Sequence, residues 1–271
     1  MPSIPWKKAR ISYLDEGRGT AVVLLHGFCE SSAVWDDWRE DLLEEGLRII
    51  RIDLPGFGET SVDAETIDEM AATVAEVTRQ LKIKRGICIG HSMGGYVSLS
   101  LAKMQPQWLI GLGLFHSHPY ADTDEQRQSR LKSIAFIKRN GHVHYIKQLI
   151  PRLFARNAGT SASFRRDLLI LRASRSTPNR LINALRAMAN REDYGGWLEQ
   201  YPNPVLFING AKDPIYTEDQ RQKQLALPAV AEVCLLPNSG HMGMIEAVRE
   251  TQRAVRKFVG FCEEWALSNN Q

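Results

Sequence analysis

The 271-residue chain is poor in several features that would narrow its chemistry at once. It has four cysteines, Cys29, Cys88, Cys234 and Cys262, widely spaced and with no C-x-x-C pair. Cys88 and Cys234 fall within apolar strand-like runs and are expected as buried free thiols. No stretch reaches the length needed to span a membrane, and Met1–Lys8 has no apolar signal-peptide region. A reducing, cytoplasmic setting follows as the default. The net charge is only +3, too small to suggest a nucleic-acid partner. His142 and His144 lie two apart with no third ligand beside them, so no metal site is expected. There is no internal repeat and no low-complexity segment.

What the chain does have is an ordinary globular composition, 44% apolar, and enough length for a large α/β domain or a core with an inserted subdomain. Short apolar runs alternate with helical patterns. Ala9–Leu14 reads as an edge strand ending in a turn at 15–19. Ala21–Leu25 is continuously apolar, as in a parallel strand buried on both faces. Ser32–Glu44 has helical spacing that places Trp35 and Trp38 in the core. Leu47–Ile52 is a strand, Thr66–Leu81 a helix, Arg85–Gly90 a strand followed by a helix to Gln105, and Leu109–Phe115 a strand. This rhythm predicts a mostly parallel, doubly wound sheet covered on both faces.

The rhythm breaks at 121–200. That segment offers helical stretches at Asp124–Asn140, His144–Leu149, Phe164–Leu171 and Thr177–Ala189, the last with an N-cap threonine and a first-turn proline. It carries 15 Lys and Arg against 7 Asp and Glu, a net of +8. An inserted all-helical cap over 121–200 is expected, with the α/β core formed by 1–120 and 201–271. The basic excess either attracts an anionic substrate or is a solvated face. Strands resume at Pro204–Asn209 and Val230–Leu236, a short helix lies at Glu218–Leu225, and Val248–Leu267 closes the chain as an amphipathic helix.

The centre of the pattern is Gly90-His91-Ser92-Met93-Gly94, a G-x-S-x-G turn between an apolar strand and a helix. A strand reversing so sharply into a helix needs glycines around the turning residue. Gly90 and Gly94 give that room, and Gly95 lets the helix approach neighbouring strands. Ser92 would be strained and its hydroxyl pushed out at the strand end. Taken alone, the pentapeptide is equally an ordinary glycine-rich turn that happens to contain a serine.

A serine hydroxyl needs a base, and the base needs a group that fixes its tautomer. His241 follows the last strand in a loop opened by Pro237 and Gly240. Asp213 follows the strand before it, at a turn closed by Pro214. By itself His241 could be an exposed loop histidine, and Asp213 a turn residue capping Tyr216–Glu218. The order Ser92, Asp213, His241, each beyond a strand end, makes a nucleophile, an orienting acid and a general base. The backbone N–H of Met93 opens the helix after Ser92. The N–H of Phe28, after Gly27, would face it, and together they would form an oxyanion hole.

With His26-Gly27-Phe28, Asp53–Gly58, Gly90–Gly95, Gly210–Asp213 and Gly240-His241 in place, the chain resembles the α/β-hydrolase fold superfamily, and specifically serine hydrolases with a helical cap. The resemblance implies acyl transfer to Ser92 and release by water, without metal or organic cofactor. The small-molecule acyl substrate would be a carboxylic ester, lactone or thioester. A carbon–carbon bond hydrolase of the same fold and a ligand-sensing, non-turnover member are the alternatives. The serine at the elbow disfavours haloalkane dehalogenase and epoxide hydrolase activity, which place an aspartate there. Further pocket candidates are His26, expected to brace its loop, Cys29, His116 and His118 near the cap hinge, and Trp197. His116 and His118 could bind a substrate carboxylate or be polar hinge residues. Asp53, in a Pro-Gly turn, is expected to be structural. Nothing in the pattern fixes an oligomeric state.

Overall fold

The computed structural model describes residues 1–156, 159–215 and 217–269. Eight strands form one sheet: β1 (Ser3–Trp6), β2 (Ala9–Gly17), β3 (Ala21–Leu25), β4 (Arg48–Ile52), β5 (Gly86–His91), β6 (Leu109–Phe115), β7 (Val205–Gly210) and β8 (Ala231–Leu236). Their spatial order is β1-β2-β4-β3-β5-β6-β7-β8. β1 and β2 run antiparallel at one edge, β2 is antiparallel to β4, and β3 through β8 are all parallel. The expected mostly parallel α/β sheet is therefore present.

The helices are α1 (Glu40–Glu44), α2 (Ile67–Gln80), α3 (Met93–Met104), α4 (Asp124–Asn140), α5 (His142–Leu153), α6 (Thr160–Ala173), α7 (Pro178–Ala189), α8 (Gly195–Leu198), α9 (Glu218–Leu225), α10 (Gly243–Glu246) and α11 (Val248–Ser268). β3, β5, β6 and β7 are buried throughout, which is why they read as unbroken apolar runs. α2 starts where Thr66 accepts the Glu69 N–H, and its buried stripe includes Met70, Val74 and Val77. Between β6 and β7 the chain passes through α4 to α8 with no strand among the described residues. Thr123 and Gln126 close a capping box on α4, and Thr177 with Pro178 opens α7. Among the described residues, no helix is long and apolar enough to cross a membrane.

Several local expectations are corrected. Residues 15–17 continue β2 instead of turning, because Asp15 and Glu16 find cross-strand arginines, Arg48 at 2.7 Å and Arg51 at 2.5 Å. Ser32–Glu44 is not one helix but a 3₁₀ turn over Ser32–Trp35 and then α1. Side chains interrupt it: Gln252 donates to Trp38 O at 2.9 Å, and the buried Arg51 donates to the Asp36 carboxylate at 2.6 Å and reaches Ser32 O at 3.5 Å. Trp35 and Trp38 are nonetheless fully buried, as expected. α5 runs past Pro151, which sits in its last turn. Cys88 is buried, but Cys234 is only half-buried, because β8 is the sheet edge and turns Val233 and Leu235 to solvent. Tyr216, one end of the alternative turn reading for Asp213, lies outside the described residues.

Candidate active site

Ser92 stands between β5 and α3 with φ +50°, a conformation that costs a non-glycine residue energy and persists only when its surroundings hold it. Here Ser92 N–H donates to Phe115 O at 2.9 Å, and Ser92 O accepts from Gly95 N–H and from Ser117 Oγ, each at 2.9 Å. A Cβ on Gly90 would run into the Gly94 carbonyl, and one on Gly94 into the carbonyls of Leu25 and His26. Glycine is thus required on both sides of the serine by backbone, not by flexible side chains. Met93 is the first residue of α3, so its N–H has no acceptor within the helix.

Asp213 and His241 come from the loops after β7 and β8. Asp213 Oδ2 accepts from His241 Nδ1 at 2.7 Å, and Oδ1 accepts from Ile215 N–H at 2.8 Å. Burial pushes the Asp213 carboxyl upward, but His241 and His116 outweigh it and hold it well below the usual carboxylate range. The His241 backbone is pinned on both sides: its N–H donates to Leu153 O at 2.7 Å, and its C=O accepts from His91 Nε2 at 2.8 Å. Ser92 and His241 line one cavity of about 100 Å³ with Phe28, Glu30, Tyr96 and Arg130. The rest of its wall is Tyr145, Leu149, Leu153, Leu185, Met188 and Ile215.

The further pocket candidates fare differently. His26 is buried, donates from Nδ1 to Gly27 O at 2.8 Å and accepts Leu54 N–H on Nε2 at 3.0 Å, so it braces the loop. Cys29 is buried with φ +64°, and burial holds its thiol pKa well above the ordinary value. It borders a neighbouring groove with Asp53, Phe57 and Arg172, not the wall of the Ser92 cavity. His116 does not line that cavity either. Its Nε2 lies 3.1 Å from Gly243 N–H, and its Nδ1 lies 3.1 Å from Asp213 Oδ2 and 3.2 Å from Gly210 N–H; a ring proton on Nδ1 satisfies Gly243 and Asp213 and opposes only the Gly210 N–H. Burial, partly opposed by Asp213, lowers its pKa to about 4. It faces Asp213 and not the Ser92 cavity. His118 is buried behind Tyr96, with 3.5 Å between Nε2 and the Tyr96 hydroxyl. Burial, then the Arg191 charge, lowers its pKa to about 3. Trp197 packs on Tyr194 and Tyr201, away from the cavity. For His116 and His118 the reason is physical: Gly243 N–H, Asp213, the Tyr96 hydroxyl and Tyr120 N–H meet their ring nitrogens inside the fold.

Asp53 takes Ser32 N–H at 2.7 Å and Glu59 N–H at 2.9 Å, a structural clamp as expected. Among the described residues, His116, Asp213 and His241 bring ligand-type atoms within 4.8 Å of one another. The two imidazole Nδ1 atoms both face the Asp213 carboxylate as donors, so their lone pairs are not offered to an ion.

Glu30, Tyr96, Arg130 and Tyr145 line the cavity without belonging to any motif of the sequence. For the helical wall a signal existed: Tyr145, Leu149 and Leu153 repeat every four residues along α5, a single face. Arg130 donates to Asp122 from Nε at 2.5 Å, and Asp122 also accepts from Arg191, so one buried carboxylate serves two guanidinium groups. No local pattern marks Glu30, whose partner His91 is 61 residues away, or Arg130, whose carboxylate Asp122 is shared with Arg191, 69 residues further on.

The geometry can be compared with known proteins. The dihydrolipoyllysine-residue acetyltransferase component of the acetoin cleaving system of Pseudomonas putida is 30% identical over 89% of this chain, which spans 64% of that relative's length. The 2-hydroxy-6-oxononadienedioate/2-hydroxy-6-oxononatrienedioate hydrolase of Cupriavidus pinatubonensis is 27% identical over 93% of this chain and 91% of its own. A thermophilic esterase from Thermogutta terrifontis, solved with malate bound, is 26% identical and superposes with a TM-score of 0.87 over 94% of each chain. The model of the alpha/beta hydrolase family matches residues 22–254, from β3 into α11, and the chain is a hydrolase belonging to that family.

Proposed function

We propose that this hydrolase cleaves a small carboxylic ester, lactone or thioester through an acyl-enzyme on Ser92. The observation that carries this reading is the cavity shared by Ser92 and His241, with His241 Nδ1 2.7 Å from the buried Asp213. In the proposed reaction Ser92 Oγ attacks the carbonyl carbon while its proton passes to His241 Nε2. The negative oxygen rests on the N–H groups of Phe28 and Met93, each contributing on the order of 3 kcal/mol. The bond to the leaving group breaks as His241 returns the proton to it. Water then attacks the acyl carbon, His241 takes the water proton, and the acid leaves as Ser92 is regenerated. Asp213 holds the His241 tautomer throughout. The cavity volume, about 100 Å³, suits a short acyl group. In this reading α4, α5 and α7 act as a cap that selects the substrate, since they supply Arg130, Tyr145, Leu149, Leu153, Leu185 and Met188.

A specific observation favours a second reading. Asp122, Arg130 and Arg191 together carry a net positive charge, and Arg130 reaches the cavity wall. That charge would suit an acyl substrate bearing a carboxylate, including one cleaved at a carbon–carbon bond. The Cupriavidus relative is named for a dioate, and the Thermogutta esterase was solved with malate.

One set of assays tests both. Wild type should turn over p-nitrophenyl acetate or butyrate and be labelled by a fluorophosphonate probe. Ser92→Ala should lose both while keeping its circular dichroism spectrum. Turnover surviving in Ser92→Ala would remove the mechanism. A labelled wild type without steady turnover would support the ligand-sensing alternative. Arg130→Gln should raise KM on the order of tenfold for a carboxylate-bearing ester and leave the neutral esters little changed, as expected for one charge-assisted hydrogen bond.

A further inference from the structure

The Ser92 cavity has one acidic wall residue, Glu30, that the proposed reaction does not use. Its surroundings are unusual. Glu30 N–H donates to Gly27 O at 3.3 Å, while the Glu30 carboxylate accepts Gly27 N–H at 2.8 Å. The two ends of the four-residue turn 27–30 are therefore tied to each other twice. Phe28 lies inside that closed turn, followed by Cys29 at φ +64°, a left-handed conformation seldom used by a residue with a side chain. A Cβ on Gly27 would press on both the Glu30 carboxylate and His91 Nδ1, so the three groups are packed without slack.

The same carboxylate also meets the elbow. His91, the residue before Ser92, has Nδ1 3.0 Å from Glu30, and both side chains are almost fully buried, 0% and 2% exposed. On the other side of the ring, Nε2 lies 2.8 Å from the carbonyl of His241. A carbonyl oxygen can only accept, so Nε2 bears a proton. Nδ1 faces the Glu30 carboxylate, so one proton lies between the two; held on Nδ1, it makes His91 an imidazolium. The directions agree with that geometry. Burial pulls the His91 pKa down, but Glu30 more than offsets it and the pKa is raised. Burial pushes Glu30 up, but His91 and the Gly27 N–H bring it below its ordinary value.

A buried ion pair is a poor means of adding stability, because desolvation consumes much of the attraction, and apolar residues of the same size often do as well. Its geometry does something apolar residues cannot. One carboxylate and one ring join the oxyanion turn, the nucleophile turn and the base loop, which come from β3, β5 and β8. The His91 ring also lies 4.9 Å from the His241 ring, centroid to centroid, so it sets that side chain's floor.

We infer that Glu30 and His91 are positioning residues that lock the Phe28 N–H, Ser92 and His241 into one rigid unit through a buried carboxylate–imidazolium pair. This rests on the hydrolase reading for its kinetic consequence, though not for the protonation of His91, which can be observed in the unliganded protein.

The test combines two measurements on the full chain. In histidine ¹⁵N–¹H spectra of unliganded wild type at neutral pH, assigned with His91→Gln, both ring nitrogens of His91 should be protonated. In Glu30→Gln the amide can still accept from Gly27 N–H and donate to His91 Nδ1, so His91 should carry a single proton, on Nε2. With p-nitrophenyl butyrate, Glu30→Ala should lose kcat on the order of 10²-fold, the scale of a displacement of about 1 Å at the reacting groups, with KM changed less than about twofold. Glu30→Gln should recover at least about tenfold of that loss. A His91 with one ring proton in wild type would overturn the inference, as would Glu30→Ala with wild-type kcat, or a Glu30→Gln no better than Glu30→Ala. Should Glu30→Ala fail to fold, the Glu30→Gln spectrum and kcat decide. Absence of turnover in wild type would instead count against the hydrolase reading and leave the spectral test standing.

Discussion

Replacing Asp213 with asparagine removes one charge and adds one donor at a carboxylate with three close partners. In wild type, Oδ2 takes two imidazole N–H groups, from His241 at 2.7 Å and His116 at 3.1 Å, while Oδ1 takes Ile215 N–H at 2.8 Å. An asparagine has one oxygen for these two acceptor positions. If the oxygen faces the imidazoles, its NH₂ meets the Ile215 N–H, donor against donor, costing about 1–3 kcal/mol in stability. His241 then keeps its tautomer but loses the negative charge that stabilises its imidazolium in the transition state. Two unit charges about 4 Å apart at an effective dielectric of about 20 interact by about 4 kcal/mol, which is about 10³-fold in rate. If instead the NH₂ faces the imidazoles, both rings must move their proton. His241 would carry it on Nε2, the atom needed to receive the Ser92 proton, and the loss approaches about 10⁴-fold. His116 would carry it toward Gly243 N–H, a second conflict. The first orientation is cheaper, so kcat for p-nitrophenyl butyrate should fall about 10³-fold with KM little changed. The urea midpoint should fall with it. An activity within tenfold of wild type would refute the assignment of Asp213 as the orienting acid. Asp53 would not then be a credible substitute, since both its oxygens are held by the Ser32 and Glu59 N–H groups.

Two further outcomes follow from groups outside the reaction. The folded His118 has a pKa of about 3 against about 6.5 when unfolded. The unfolded chain binds its proton first as pH falls, so His118 is destabilising through the window from about 6.5 down to about 3, by a few kcal/mol at most. His118→Asn can still accept Tyr120 N–H, and its urea midpoint should fall less steeply between pH 6.5 and 4 than that of wild type. An unchanged slope would refute the neutral, buried state of His118. Gly94→Ala should cost about 3 kcal/mol or more in thermal or urea unfolding, since its new Cβ meets the Leu25 and His26 carbonyls and nothing flexible can yield. A variant as stable as wild type would show that α3 does not pack so closely on β3.

The parts of the site legible in sequence were those built from consecutive residues. The strand β5, the glycines about Ser92 and the start of α3 must occur together for the turn to exist, and sterics fix that spacing. The chain order of Ser92, Asp213 and His241 was legible for a related reason: each follows a recognisable strand, and parallel strands deliver their ends to one edge. The errors arose where side chains compete for partners across the fold. His116 and His118 had strand-end positions, yet Gly243 N–H, Asp213, Tyr96 and Tyr120 occupy their ring nitrogens. Ser32–Glu44 had helical spacing, yet Arg51 binds the Asp36 carboxylate and Gln252 takes the Trp38 carbonyl.

By itself, then, the sequence determined the parallel sheet, the serine elbow and the places of Ser92, Asp213 and His241 beyond strand ends, because local sterics and apolar periodicity act over a few residues. The tertiary structure decided what surrounds them: Glu30 against His91, Arg130 on the cavity wall, and His116 behind Asp213. Those pairings join segments separated by 61 and 97 residues at the buried charges, where hydrogen-bond and charge partners are chosen by proximity in the folded chain, not by distance along it.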